Sequence, residues 1–361
     1  MKKISGFEFL LTMTNFMIGG TIIFPIGIDA KQDAWLAILV GMTYGIFLCL
    51  LFVKINSLYP GATFIGITQE IFGKYLGWFV GFIYATWCIY ISIRNIRDFA
   101  EQITHNFLSD INIVVILTLM VILMIYALYQ GIEVLIRVTC VIFPVVFVYI
   151  LISDSYLMMV SGDFNNLKPI LHEGLVLSTV HSKLMGFPYA ELTVSMMIIP
   201  HVNVTFNKIK KLLILANIWG SLIILFDTVM LISVLGIYLA ENLSFPIIQA
   251  TQLTQSDLLK LNIIIVLVTN LVLIVKASVL AYAGIKGYSQ LFQVSYKKMV
   301  FFVLIISIYL ANIVAKSYWQ HVQFGLGISL ISNVVIGIYI PLITLIFYYL
   351  KRYMKKLINY C

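Results

Sequence analysis

Ile18-Gly19-Gly20-Thr21-Ile22-Ile23-Phe24-Pro25 and Met185-Gly186-Phe187-Pro188-Tyr189 decide how this chain is read. Each interrupts an apolar stretch long enough to cross a bilayer. A helix opened inside hydrocarbon bares N–H and C=O groups that lipid cannot satisfy, so a break persists only where protein, a cavity or a ligand meets it. The two breaks fall at matching places in the two halves of a 361-residue chain. Paired Gly/Pro interruptions of this kind point to a binding site near the middle of the membrane.

The surrounding sequence supplies the membrane. The chain is 61% hydrophobic and 11% charged, with a mean hydropathy of +1.03. A soluble domain carries about 25% charged residues, so this inventory cannot build a water-facing surface. Ten apolar spans read off directly: 9–28, 35–53, 78–93, 111–132, 138–153, 184–200, 212–240, 261–285, 299–315 and 322–350. A crossing helix needs about 20 residues. The short runs therefore borrow flanking residues, the longest tilts, and Pro341 inside it predicts a kink. The fold class is all-α and polytopic, in a single transmembrane domain over 1–361. The alternating ~10-residue pattern of a membrane β-barrel is absent.

Lys and Arg set the expected orientation. With the N-terminus inside, 15 of the 23 basic residues fall on the cytoplasmic side, including the tail 351–361, and ten of the 15 acidic residues fall outside. Arg94 and Arg97 are counted among the external residues. Both termini are expected in the cytoplasm. The net charge of +8 is then contact with anionic lipid headgroups rather than with nucleic acid, because the basic residues are spread over several segments. Lys2-Lys3 and the run after them read as a first membrane helix, not as a cleaved leader. Segments 154–183 and 241–260 read as external caps or linkers, and 57–77 as an internal loop holding a short surface helix.

Enzyme chemistry has no foothold. Cys49, Cys88, Cys140 and Cys361 are dispersed without metal or redox spacing. No phosphate loop, nucleophile elbow or HExxH is present, and neither metal nor cofactor is expected.

Several strings taken together resemble the B subunit of the spore-germination nutrient receptors of endospore-forming bacteria. They are Ile18–Pro25 and Ala30-Lys31-Gln32-Asp33-Ala34-Trp35-Leu36, then Tyr59-Pro60-Gly61 with Ile71-Phe72-Gly73-Lys74-Tyr75-Leu76-Gly77. Asn166-Leu167-Lys168-Pro169-Ile170-Leu171-His172-Glu173-Gly174 and Gly186-Phe187-Pro188-Tyr189-Ala190-Glu191-Leu192 complete the set. That family belongs to the amino acid–polyamine–organocation permease superfamily. The resemblance implies a LeuT-like fold of five-plus-five inverted repeats, about 4–153 and 178–350, with spans one and six discontinuous. It also implies a small germinant (an amino acid above others), A and C receptor subunits as partners, and residence in the inner membrane of the spore.

Physics says what the breaks offer. Beyond Thr21 a second half-helix would present free N–H groups and its positive dipole end, which suits a carboxylate. Carbonyls near Gly19 suit an ammonium. Pro188 fits the first position of the second half of span six. Candidate ligand contacts are Gly19, Gly20, Thr21, Gly186, Phe187 and Tyr189 at the breaks. Ser278 and Tyr282, four apart on one face of span eight, join them. The alternative is that the breaks are packing kinks and these side chains interhelical glue.

Three spans each hold one ionisable residue. Counting 1.5 Å per residue puts Lys276 and Glu191 both roughly 10 Å deep from the inner surface and Asp227 about 22 Å up. Lys276 and Glu191 are therefore expected to pair beneath the ligand pocket. A charge at that depth is costly without a partner. The resemblance adds that related permeases support the first break with a cation between spans one and eight, a place the ammonium of Lys276 could fill. Two functions remain open: a nutrient sensor that signals to partner subunits, and a permease moving amino acids, with protons through Glu191.

Overall fold

Ser5 starts the first helix with a reciprocal cap: its hydroxyl accepts from the Glu8 N–H, and Glu8 Oε2 accepts from the Ser5 N–H at 2.7 Å. In the computed structural model, which describes residues 3–21, 25–171, 183–253 and 261–358, this helix, α1, is Gly6–Ile18. It stops at the Gly19-Gly20 break.

The rest of the first half is α2 (Ala34–Leu58), α3 (Phe64–Phe72), α4 (Lys74–Asn106), α5 (Ile113–Gln130) and α6 (Ile132–Ser161). The second half opens with short turns over residues 185–201, among them α7 (Ser195–Ile198). It continues with α8 (Phe206–Asn242), α9 (Pro246–Leu253), α10 (Leu261–Phe292), α11 (Tyr296–Ile313), α12 (Tyr318–Phe324), α13 (Leu330–Val334) and α14 (Ile340–Ile358). Among the described residues, eight helical segments of 18 to 40 residues are long and apolar enough to cross a membrane. The other two expected spans, 9–28 and 184–200, are the interrupted ones, and neither forms an unbroken helix of that length. Large apolar side chains face outward along α5, α6 and α11, such as Leu119, Ile122, Val141, Val145, Phe302 and Ile305, as lipid contact demands.

The core is a bundle of α1, α4, α8 and α10. Helix α4 lies along α10, and α1 and α2 both pack on α8. Glycines bring these elements close where a ring must pass. A Cβ on Gly41 or Gly45 of α2 would stand 2.4 or 2.6 Å from the Tyr189 ring, so the pair forms a slot for that side chain.

One expectation about boundaries is corrected. Arg94 and Arg97 are not in an external loop, because α4 continues through them to Asn106, and both are buried. The apolar run ends at Ile93, but the helix does not, because the charges that follow are paired inside the protein. After the first break, residues 22–24 lie outside the described set, and Pro25–Gly27 form no helix. Chain resumes as a 3-10 turn over Ile28–Asp33. The second half-helix expected after Thr21 therefore begins on residues outside the described set.

The loops are built. Phe64–Phe72 is the short helix expected in segment 57–77, capped by Thr63. In segment 241–260, Pro246–Leu253 forms α9, and 254–260 lie outside the described residues. Segment 154–183 begins as the last turns of α6, and 172–182 are likewise outside. The string around Asn166 meets the string around Asp33: both Asp33 oxygens accept the Leu171 N–H at 3.0 and 3.1 Å. Asn166 repairs another break. Gly236 takes φ +69° inside α8, which only glycine adopts cheaply. The Ser233 carbonyl below it instead accepts from Asp163 N–H (2.9 Å) and Asn166 Nδ2 (3.0 Å). In the last span, the turn over Val335–Tyr339 widens just before Pro341, where the ring would clash with the carbonyl four residues back.

Candidate functional site

Phe187 is the break in span six. Its φ of −143° and ψ of 123° are extended, between helical Leu184 and helical Ala190. Pro188 follows it and has no N–H to leave bare. Behind the break, short 3-10 and α turns carry Glu191 inward.

The break in span one is made by contact rather than by backbone strain. Gly19 keeps helical angles (φ −57°, ψ −33°), but the Lys276 side chain of α10 crosses it. A Cβ on Gly19 would meet Lys276 Cβ at 2.7 Å and Cδ at 2.8 Å, and one on Gly20 would meet the Phe187 ring at 2.9 Å. Thr21 closes the helix end: its N–H and its hydroxyl both donate to the Ile18 carbonyl, at 3.2 and 3.1 Å. That carbonyl is spoken for by protein.

Lys276 Nζ lies 2.7 Å from Glu191 Oε2, with the two side chains 0% and 3% exposed. The approach is off the line of a good hydrogen bond, so the contact is an ion pair. The ammonium also faces the rings of Phe187 (4.4 Å) and Phe16 (5.3 Å), which supplies cation–π attraction in a dry setting. Glu191 Oε1 accepts from Asn333 Nδ2 at 2.9 Å, and Asn333 Oδ1 accepts from Trp87 Nε1 at 3.0 Å. The pair is thus wired to α13 and α4.

A cavity of about 110 Å³ sits against this pair. Gly20, Phe187, Glu191 and Asn333 form one side, and Arg94, Asn95 and Asp98 of α4 form another. A larger cavity of about 410 Å³ lies next to it, bordered by Asp29, Lys183 and the Glu241–Ser244 loop. The two share Phe187, Val322, Leu326 and Leu330 as a common apolar wall. Lys183 and Asp29 pair at 2.5 Å at the mouth of the larger one.

Of the expected ligand contacts, Gly20 and Phe187 line the smaller cavity, as does Glu191. Gly19 and Thr21 are occupied by Lys276 and by the end of α1, and Gly186 packs on the Leu330 backbone. Tyr189 is turned away: its hydroxyl donates to the Ile38 carbonyl (3.2 Å) and meets Ser221 (3.1 Å). Ser278 is buried elsewhere, and the Tyr282 hydroxyl meets His201 Nε2 at 3.0 Å. Asp227 is also buried, with Oδ1 unpartnered among the described residues.

The polar wall on α4 went unseen in the sequence. Arg94 Nη1 donates to the His321 carbonyl at 2.9 Å, and His321 Nε2 stands 2.7 Å from Asp98 Oδ1. Arg97 is committed to Glu101 (2.6 Å) and to the Ala311 and Asn312 carbonyls. The i, i+4 spacing of Arg94/Asp98 and Arg97/Glu101 was the available signal, masked by their place beyond the apolar run.

At the opposite end, the N-terminal segment is stitched to the end of span six. Ile4 N–H donates to the His201 carbonyl (3.0 Å), and Asn203 N–H donates to the Ile4 carbonyl (2.8 Å). A central cavity between two broken helices, open on one side and stitched on the other, defines a permease-like membrane protein. The match of a spore germination protein family model to residues 3–318 establishes that the chain belongs to that family. It is 29% identical over 333 residues to spore germination protein KB of Bacillus subtilis (strain 168), covering 90% of this chain and 89% of that one. Spore germination protein YndE of the same strain is 23% identical over 197 residues, 53% of this chain and 54% of that one.

Solved structures agree on the fold. The nucleobase-cation-symport-1 family transporter Mhp1, closed around bromovinylhydantoin, superposes with a TM-score of 0.63 at 14% identity, covering 93% of this chain and 78% of its own. MhsT in complex with L-phenylalanine gives 0.65 at 14%, covering 91% and 87%. The fold is the LeuT type, and the protein is integral to a membrane.

Proposed function

We propose that this chain is the membrane subunit of a spore nutrient germinant receptor. It binds a small polar germinant, of the amino acid class, in the central cavity and passes a conformational change to A and C subunits. The observation that carries this reading is the sequence of spaces. A wide cavity shares an apolar wall with a small one that Arg94, Asp98 and Glu191 border, and beyond it Lys276, Glu191 and the Ile4–Val202 stitch fill the way with protein. In this reading the chain is one domain of two inverted repeats with both termini in the cytoplasm, and it resides in the inner membrane of the spore. Lys276 holds the first break by a fixed charge, so binding needs no cation.

A permease is the second reading, favoured by the fold it shares with solute-bound transporters. Two measurements separate them. Deletion should abolish the germination response to one nutrient without an uptake defect, and proteoliposomes holding this chain alone should accumulate no labelled amino acid. Uptake by the chain alone would make it a permease. A thermal-shift screen of the purified chain, in which a bound solute raises the melting temperature, identifies the nutrient.

A further inference from the structure

We propose that the germinant's two charged ends are recognised by Arg94 and Asp98 of α4, not by the ends of the broken helices, and that the ligand is a small zwitterion. This rests on the receptor reading and deepens it. At the first break Thr21 occupies the Ile18 carbonyl, and the Lys276 side chain lies across Gly19 and Gly20.

Arg94 is the donor left over. Asp98, as a carboxylate, can only accept, so the 2.7 Å contact with His321 Nε2 requires that nitrogen to carry the proton. The 3.4 Å approach of Arg94 Nη2 to the same nitrogen then sets N–H against N–H and is no hydrogen bond. Nη2 thus has no acceptor among the described residues, though Arg94 is 7% exposed and lines the cavity. A guanidinium buried to this degree calls for an anionic oxygen.

Asp98 supplies the complement. It gives Oδ1 to His321 and keeps its second oxygen for a donor, four residues (about 6 Å of helix rise) along α4 from Arg94. His321 holds both charges apart, so they do not quench each other as Arg97 and Glu101 do.

Arg94 brings a cationic donor and Asp98 an anionic acceptor to the same cavity. A ligand with one charge of each sign meets both, and a singly charged one leaves the other group bare. A cavity of about 110 Å³, well under the ~300 Å³ at which drug-sized sites begin, admits only the smallest members of the class.

The experiment measures binding to the purified full-length chain by calorimetry. The probes are glycine, alanine and serine, with alaninamide (no carboxylate), lactate (no ammonium) and glycerol. One amino acid should bind, with its amide and hydroxy-acid analogues at least ~tenfold weaker, the scale of one charged hydrogen bond. Arg94→Gln should erase the preference over the amide, and Asp98→Asn the preference over lactate. Amino acid binding unchanged in folded Arg94→Gln and Asp98→Asn would overturn the inference. So would equal affinity for the amide, or binding of glycerol alone, and either would leave a receptor with a different contact. If these variants do not fold, Arg94→Lys and Asp98→Glu, which keep each charge and move it, decide by the same two preferences, and unchanged binding in both would overturn the inference. Binding of no solute of any class would sink the receptor reading too.

Discussion

The two helix breaks look alike in sequence and differ in what meets them. Gly19-Gly20 is plugged from inside the protein: the Lys276 stem fills the space that missing side chains leave, and Thr21 takes the Ile18 carbonyl. Phe187 breaks by its own backbone angles and presents its ring to the shared wall of two cavities. The first break is filled mostly by protein, with Gly20 reaching the smaller cavity, and the second borders both cavities. Glycine permits either outcome, since lacking Cβ it allows close approach as readily as unusual dihedrals.

The largest expected effect comes from unplugging the first break. Lys276→Met leaves Glu191 buried and unpaired, and should cost about 3–5 kcal/mol. Lys276→Met combined with Glu191→Gln should cost much less than the two single losses added, because neither charge is then stranded. Denaturation of the three variants in detergent checks this, and additive losses would mean the two residues act separately. Gly19→Ala tests the same plug sterically. Its Cβ would press on Lys276 Cβ and Cδ, and overpacking of this kind costs about 1–3 kcal/mol. A neutral result in the same assay would show that the lysine stem can step aside.

Thr21→Val removes one of two donors to the Ile18 carbonyl and should cost about 1 kcal/mol. The matching change at the second break, Tyr189→Phe, removes bonds to Ile38 and Ser221 on a side chain facing away from the cavity. It should lower stability by a similar amount while leaving ligand affinity within about twofold. A Tyr189→Phe variant that keeps its melting point and loses its ligand would return Tyr189 to the binding site.

The smallest effect is a pH dependence at the end of span six. Burial, then Lys286, pushes the His201 pKa below its usual 6.5, against an opposing pull from Glu133. The folded state therefore holds this proton less tightly than the unfolded one. Stability from His201 is complete above about pH 6.5 and is lost as pH falls through the lowered folded value. His201→Gln should flatten the melting temperature between pH 7 and 5, and an unaltered slope would assign the dependence elsewhere.

The comparison also marks how far the sequence could be read. Composition and span length identified the membrane protein, and Gly19-Gly20 and Phe187-Pro188 located the interruptions, because lipid makes both signals strong. Depth counting along a helix placed Lys276 and Glu191 at one level, and the two do meet at 2.7 Å. What a break faces is a tertiary matter. The glycines gave no sign that a lysine stem would lie across them, nor Tyr189 that Gly41 and Gly45 would take its ring. Arg94 and Asp98 were legible as an i, i+4 pair, but hydropathy assigns charges past an apolar run to water. It cannot register that His321, 223 residues beyond Asp98, buries them.

The stitch between residue 4 and residues 201 and 203 is made wholly of main-chain atoms. Point substitution at those positions leaves its donors and acceptors in place, proline at Ile4 or Asn203 excepted. Relatives can therefore diverge there in side chain and keep the same fastening, whereas trimming four residues from the amino end would cut it outright.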